Sequence, residues 1–286
     1  MAARKGKKYR RGKGRLGKIL LFLCVVAALA AMTVGATVFF QVEQIELSGN
    51  QRYTQEEIVA VTGIQVGDNL FRMNKFAIQD HVKEEMPYIE DILIRRRLPS
   101  TITIAVQEWD AVAQILPNPG WVAPEPEEVK EGEEIVLPVA TDKTWLISVA
   151  GKVLEEAGAE DARLKISGLT GLDTREGVAL EVPEEERTRL STVIALLGEL
   201  ENREMLGDVS AVKVGTTSVV MEYLGRYDVK LPMDGDFPYQ LELLSAAVAE
   251  RESAMGGAVT GTFDLTQKNS PLFTPPTAFP EENFLS

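Results

Sequence analysis

Ile19 to Phe40 is a run of 22 residues without a charged side chain, and no other feature restricts the architecture of this chain so strongly. A helix of that length reaches roughly 33 Å at about 1.5 Å per residue, close to the ~30 Å hydrocarbon core of a bilayer. In lipid such a run must be helical, because a helix satisfies its own backbone polar groups. Thr33, Gly35 and Thr37 are small residues that membrane helices tolerate. Residues 1–18 carry nine Lys or Arg and no acid, which predicts a cytoplasmic amino end and an exported remainder. Subtracting that +9 from the net charge of -13 leaves -22 for the rest of the chain. A cleavable signal peptide has a shorter apolar run, and Val34-Gly35-Ala36 matches its cut site only weakly. Nine cations beside a span fit topology and anionic headgroups better than nucleic acid, and the acidic remainder points the same way.

The sole cysteine, Cys24, lies inside the span, so the exported part forms no internal disulfide and depends on a packed core. About 245 residues suffice for one or two domains. Val42 to Leu47 alternates as a strand and ends in the turn residues Ser48-Gly49-Asn50. Thr54 stands three residues before Glu57, a capping-box spacing, and Gly63 closes the helix that it opens. Ile78, Val82 and Met86 recur every four residues in a second helix, Asn74 to Met86, that Pro87 terminates. Ile89–Arg97 and Thr101–Gln107 then read as strands around a Leu98-Pro99-Ser100 turn. This order, β-α-α-β-β over residues 42–116, predicts a small α+β domain with two helices covering one face of a sheet.

Residues 117–138 hold five prolines and six glutamates and read as a solvated loop. A second, β-rich domain is predicted over 139–266. Its strands are Thr144–Val149, Lys152–Leu154, Arg163–Ser167, Val209–Val214, Val219–Leu224, Arg226–Lys230 and Gly261–Thr266. Two helices interrupt them: Glu184–Met205, with Leu190, Ile194, Leu197 and Leu200 on one side, and Phe237–Glu252, with Leu241, Leu244 and Val248. Residues 267–286 are expected to form a flexible tail.

Catalytic chemistry is hard to find. The single histidine, His81, sits on an amphipathic helix, so Cys–His pairs and His/Cys metal sets are not available. Gly168-Leu169-Thr170-Gly171 lacks the spacing and the Lys of a phosphate loop. Carboxylates are abundant, but the runs Glu125–Glu134 and Glu184–Glu186 read as solvated faces. No enzymatic activity, no metal, no cofactor, no nucleic acid and no small-molecule substrate are expected.

Several segments carry a likeness: Ile45-Glu46-Leu47-Ser48-Gly49-Asn50, Tyr53-Thr54-Gln55-Glu56-Glu57-Ile58, Gly67-Asp68-Asn69-Leu70-Phe71, Met86-Pro87-Tyr88-Ile89, and Arg96-Arg97-Leu98-Pro99-Ser100-Thr101-Ile102 running to Glu108. They resemble the POTRA domain of the FtsQ/DivIB bacterial cell-division proteins. Further on, Trp145-Leu146-Ile147-Ser148, Gly151-Lys152-Val153-Leu154 and Thr262-Phe263-Asp264-Leu265 are similar to pieces of that family's β domain. Gly49 and Gly67 serve tight turns, and Arg96 beside the Pro99 turn is expected to pair with Glu108. The chain departs from the family pattern in its long Glu/Pro insert, in Thr266 where a basic residue is common, and in Phe237-Pro238-Tyr239-Gln240 where a Lys is usual.

The resemblance implies a scaffold at the division septum, in the cell membrane, that binds other single-span division proteins of the FtsB/DivIC and FtsL types. Through them it would regulate septal peptidoglycan synthesis. A terminal strand could accept a partner strand by edge addition. The residues chosen for this are Thr262, Phe263, Asp264, Leu265 and Thr266, with Leu272 and Phe273 as apolar anchors; alternatively these segments cover the sheet edge within the chain. The rival reading is an anchored POTRA-type chaperone or export factor that holds extended polypeptides.

Overall fold

The computed structural model describes residues 15–123, 138–255, 259–267 and 271–275, with residues 15, 16, 33, 34, 36–38 and 255 in backbone only. Most of the expected basic tail (1–18), of the Pro/Glu-rich loop (117–138) and of the carboxyl-terminal tail (267–286) lies outside the described residues.

The uncharged run folds as a helix, α1 (Arg15–Phe39), of 25 residues. Its described apolar side chains are open to the surroundings, from Ile19 at 57% exposure to Met32 at 72%. Among the described residues no helix is long and apolar enough to cross a membrane.

The described residues form two compact units, 15–81 with 92–106, and 82–91 with those from 107 onward. The small sheet has the predicted element order: β1 (Gln44–Ser48), α2 (Gln55–Thr62), α3 (Lys75–Glu85), β2 (Ile89–Arg97) and β3 (Thr101–Glu108). The strand order is β1-β3-β2, with β1 parallel to β3 in a register that sets Gln44 beside Thr101 and Ser48 beside Ala105. A parallel partner requires a crossover between the strands rather than a tight turn.

Local chemistry explains the boundaries. Thr54 Oγ1 accepts from the Glu57 N–H at 3.3 Å, and Glu57 Oε2 accepts from the Thr54 N–H at 2.8 Å. Gly63, left-handed at φ 66°, ends α2. Along β3, Ile102, Ile104 and Val106 are buried in alternation, as their spacing predicts.

Among the described residues the second sheet has nine strands in the order β12-β11-β10-β9-β8-β7-β4-β5-β6. In chain order these are β4 (Ala113–Ile115), β5 (Trp145–Ile147), β6 (Val153–Glu156), β7 (Leu164–Ser167), β8 (Val209–Val214), β9 (Ser218–Tyr223), β10 (Tyr227–Pro232), β11 (Gly261–Asp264) and β12 (Leu272–Thr274). Two helices, α4 (Arg187–Asn202) and α5 (Phe237–Met255), bury their apolar sides in the same core as the strands.

Three expectations change. Ala113–Ile115 was expected at the end of the small domain, yet β4 pairs antiparallel with β5 and parallel with β7 inside the large sheet. The long helix is shorter than the predicted Glu184–Met205, with single 3-10 turns at Glu184–Glu186 and Leu206–Asp208. Its buried side is Val193, Leu196, Leu197 and Leu200, while Leu190 and Ile194 are half-buried, so the stripe is rotated from the expected one. Finally, Glu186 is not on a solvated face. It is 5% exposed, and its carboxylate accepts from the Thr170 N–H at 2.7 Å and the Thr170 hydroxyl at 3.2 Å. The Gly168–Gly171 turn is therefore held by a carboxylate from the start of the helix.

Candidate functional site

Backbone pairing at one end of the large sheet builds the candidate site. β11 lies between β10 and β12: it runs parallel to β10, with Val229 beside Phe263, and antiparallel to β12, with Phe263 opposite Phe273 and Asp264 opposite Leu272. The chain thus covers β11 with its own residues, and among the described residues the outermost strand is β12.

Alternation along the two strands decides what each side chain meets. Phe263 is 1% exposed, with its ring 5.2 Å from that of Tyr227 and 5.0 Å from that of Phe273. Phe273 is half-buried beneath the Arg251 guanidinium, which stands 4.4 Å from its ring centroid. Leu272 points the other way and is 55% exposed. Leu265 is buried and donates its N–H to the Lys230 carbonyl at 2.9 Å. Thr266 turns back on the strand, its N–H and hydroxyl both donating to Asp264 Oδ1. Thr262 is half-buried opposite Thr274. A pocket of about 180 Å³ opens between α5 and this strand pair, lined by Glu250, Arg251, Phe263 and Phe273 among others.

Beneath the edge, Tyr227 is 1% exposed and its hydroxyl faces Glu252 Oε1 at 3.5 Å. Burial pushes the Tyr227 phenol above its ordinary value, and it does the same to Tyr223. Arg226 pairs with Glu252 at 2.8 Å, closing the end of α5 onto β10.

The other singled-out residues lie elsewhere. Gly49 follows β1 at φ 89°, and Gly67 takes φ 98° in the next turn. The Leu98–Pro99 peptide is cis. Arg96 does not meet its expected use: its Nη2 donates to the Met73 carbonyl at 2.9 Å, and its guanidinium lies 5.8 Å from the Phe71 ring centroid. Glu108 is at the far end of β3 from that turn, some 20 Å away by strand rise. His81 is exposed on α3. Among the described residues no three His, Cys, Asp or Glu side chains are placed to hold a metal ion. The sequence reading passed over Arg251 and Tyr227; the nearest signal was the apolar stripe of α5, which places Arg251 three residues beyond buried Val248.

The small sheet, its parallel β1–β3 pair and its two helices define a protein that carries a POTRA domain, and the family model of the "POTRA domain, FtsQ-type" matches residues 40–109. The chain is 24% identical to the cell division protein FtsQ of Syntrophotalea carbinolica over 235 residues, 81% of this chain and 73% of that protein. It is also 30% identical to FtsQ of Corynebacterium glutamicum over 32% of this chain and 42% of that one. With the cell division protein DivIB of Clostridium acetobutylicum it shares 32% identity over 27% of this chain and 30% of that one. The second and third matches thus span under half of those relatives. The chain therefore carries an FtsQ-type POTRA domain and is similar to the FtsQ and DivIB cell-division proteins.

Proposed function

We propose that this protein is a non-enzymatic scaffold of the division machinery, anchored by α1 and acting through its exported domains. Its partners are single-span division proteins of the FtsB/DivIC and FtsL types, and through them it localises and regulates septal peptidoglycan synthesis. The layout behind this reading is a cytoplasmic basic tail, a membrane span, a POTRA domain and a β domain. The span in this layout rests on the uncharged run from Ile19 to Phe40, whose 22 residues would reach roughly 33 Å as a helix, against the ~30 Å hydrocarbon layer.

The observation that carries the partner reading is the outer strand β12, which has no strand on its far side among the described residues. Such a strand presents backbone donors and acceptors for a partner segment to extend the sheet. Leu272, exposed at 55%, supplies an apolar contact, while Phe273 anchors β12 to Phe263. Exchange of Leu272→Glu together with Phe273→Pro is expected to abolish co-purification with an FtsB/DivIC-type partner, with far-UV circular dichroism unchanged. Retained co-purification by the folded variant would refute the edge-strand reading.

A further inference from the structure

The segment that follows α2 meets the end of α1 without a linker. Leu70 N–H donates to the Phe40 carbonyl at 2.9 Å, Val42 N–H to the Asp68 carbonyl at 2.8 Å, and Gly67 N–H to the Val42 carbonyl at 2.8 Å. A β-bridge joins Gln41 to Asn69. The rings continue the connection: Phe39 to Phe40 and Phe40 to Phe71 are both 5.1 Å between centroids, edge to face at 87°.

Around this junction the apolar side chains point outward. Val66 is 71% exposed, Phe39 65%, Phe71 55% and Phe76 66%. Cations are interleaved with them: Arg96 stands over Phe71, and Lys75 Nζ lies 5.1 Å from the Phe76 centroid. Residues 69–79 contain Arg72 and Lys75 and no acid, within an exported region of charge -22. Aromatic rings with flanking Lys and Arg are what a surface carries where it enters the headgroup layer of a bilayer.

The geometry points to a second membrane contact: the POTRA face formed by Val66, Phe71 and Phe76, with Arg72, Lys75 and Arg96, seats on the anionic phospholipid of the outer face of the membrane beside α1. This rests on α1 being a span. An apolar run from Ile19 to Phe40 covers roughly 33 Å, so Phe40 arrives at the far headgroup boundary and Phe71, one ring away, lies in the same layer. The domain is then held at a fixed height and tilt rather than swinging on a tether.

The test uses the full chain in nanodiscs of phosphatidylglycerol and phosphatidylcholine whose acyl chains are brominated both near the headgroup and near the terminal methyl, so that lipid at either depth quenches. Four single variants each add one tryptophan: Leu29→Trp in α1, Phe71→Trp, Phe76→Trp, and His81→Trp on exposed α3 surface. Emission above the three native tryptophans is read with and without bromine. Positions 29, 71 and 76 are expected to lose most of their added emission, and position 81 to lose none. Quenching at 29 without quenching at 71 and 76 overturns the lipid contact and leaves the span. Absence of quenching at 29 overturns the span reading and the contact with it. Equal quenching at 81 also overturns the proposal, because the contact would not be confined to this face. Phe71 and Phe76 are both exposed, so either variant alone decides the matter if the other fails to fold.

Discussion

A methyl group added at Gly49 would stand 2.0 Å from the Val106 carbonyl oxygen, and one at Gly168 2.2 Å from that of Val214. The two positions are the same device used twice. Each glycine directly follows a strand, β1 or β7, that runs parallel to its neighbour, and each takes φ close to 90° as the chain leaves the sheet against that neighbour's backbone. Gly49→Ala and Gly168→Ala are each expected to destabilise the protein by about 2–4 kcal/mol, since backbone strain and overlap with a carbonyl add; denaturant titration measures it. Tyr227 gives a pH dependence at the same scale. Burial raises its phenol pKa above the ordinary 10.0, so its contribution to stability is complete below that value and is lost as the pH climbs through the folded-state pKa. Stability should fall above pH 10, and Tyr227→Phe should flatten part of the fall in melts on either side of it, the remainder belonging to Tyr223. Gly49 was legible because it sits in a turn of polar neighbours. Glu186 was not, since the Thr170 backbone that it satisfies is distant in sequence and its acidic neighbours imitate a solvated run.

At the scale of elements, the helix and strand limits that depend on neighbours in sequence follow from the chain itself. α2 starts and stops on Thr54 and Gly63 because both residues act within one turn. Thr54→Ala should remove the accepting hydroxyl and cost roughly 1 kcal/mol, which hydrogen exchange would register as faster exchange of the α2 amides and of few others. Elements fixed by distant partners were harder to read. β4 is three residues long, too short to reveal a period, and its central Gln114 looks like a loop residue. In the fold Gln114 is 4% exposed, and its amide donates to the Asp161 carbonyl at 2.8 Å and to Asp161 Oδ1 at 3.0 Å. The rotated stripe of α4 has the same origin: periodicity locates a helix, whereas the packed side is chosen by what lies against it. At the candidate site the sequence offered two readings of the terminal segments, partner binding and cover for the sheet edge within the chain, and the pairing of β12 with β11 fits the second.

At the scale of the whole molecule, charge and apolarity divide the chain before any fold forms: nine cations in residues 1–18, an uncharged run, and -22 beyond it. That division is written in the sequence alone, and the two sheets then set what the described residues display. A functional fluorescent fusion is expected to concentrate at mid-cell, and a uniform peripheral signal would favour the export-factor reading instead. The POTRA match and the relatives tie the chain to cell division, and the strand order leaves β12 outermost among the described residues.

From β7 outward the large sheet follows chain order, β7-β8-β9-β10-β11-β12. A chain delivered amino end first therefore builds this half of the sheet as a growing front, each new strand laid on the one before. Until the last is laid, the front shows a different strand with different side chains. A stalled or clipped polypeptide would present β10 or β11 in its place, with Phe263 stripped of its cover.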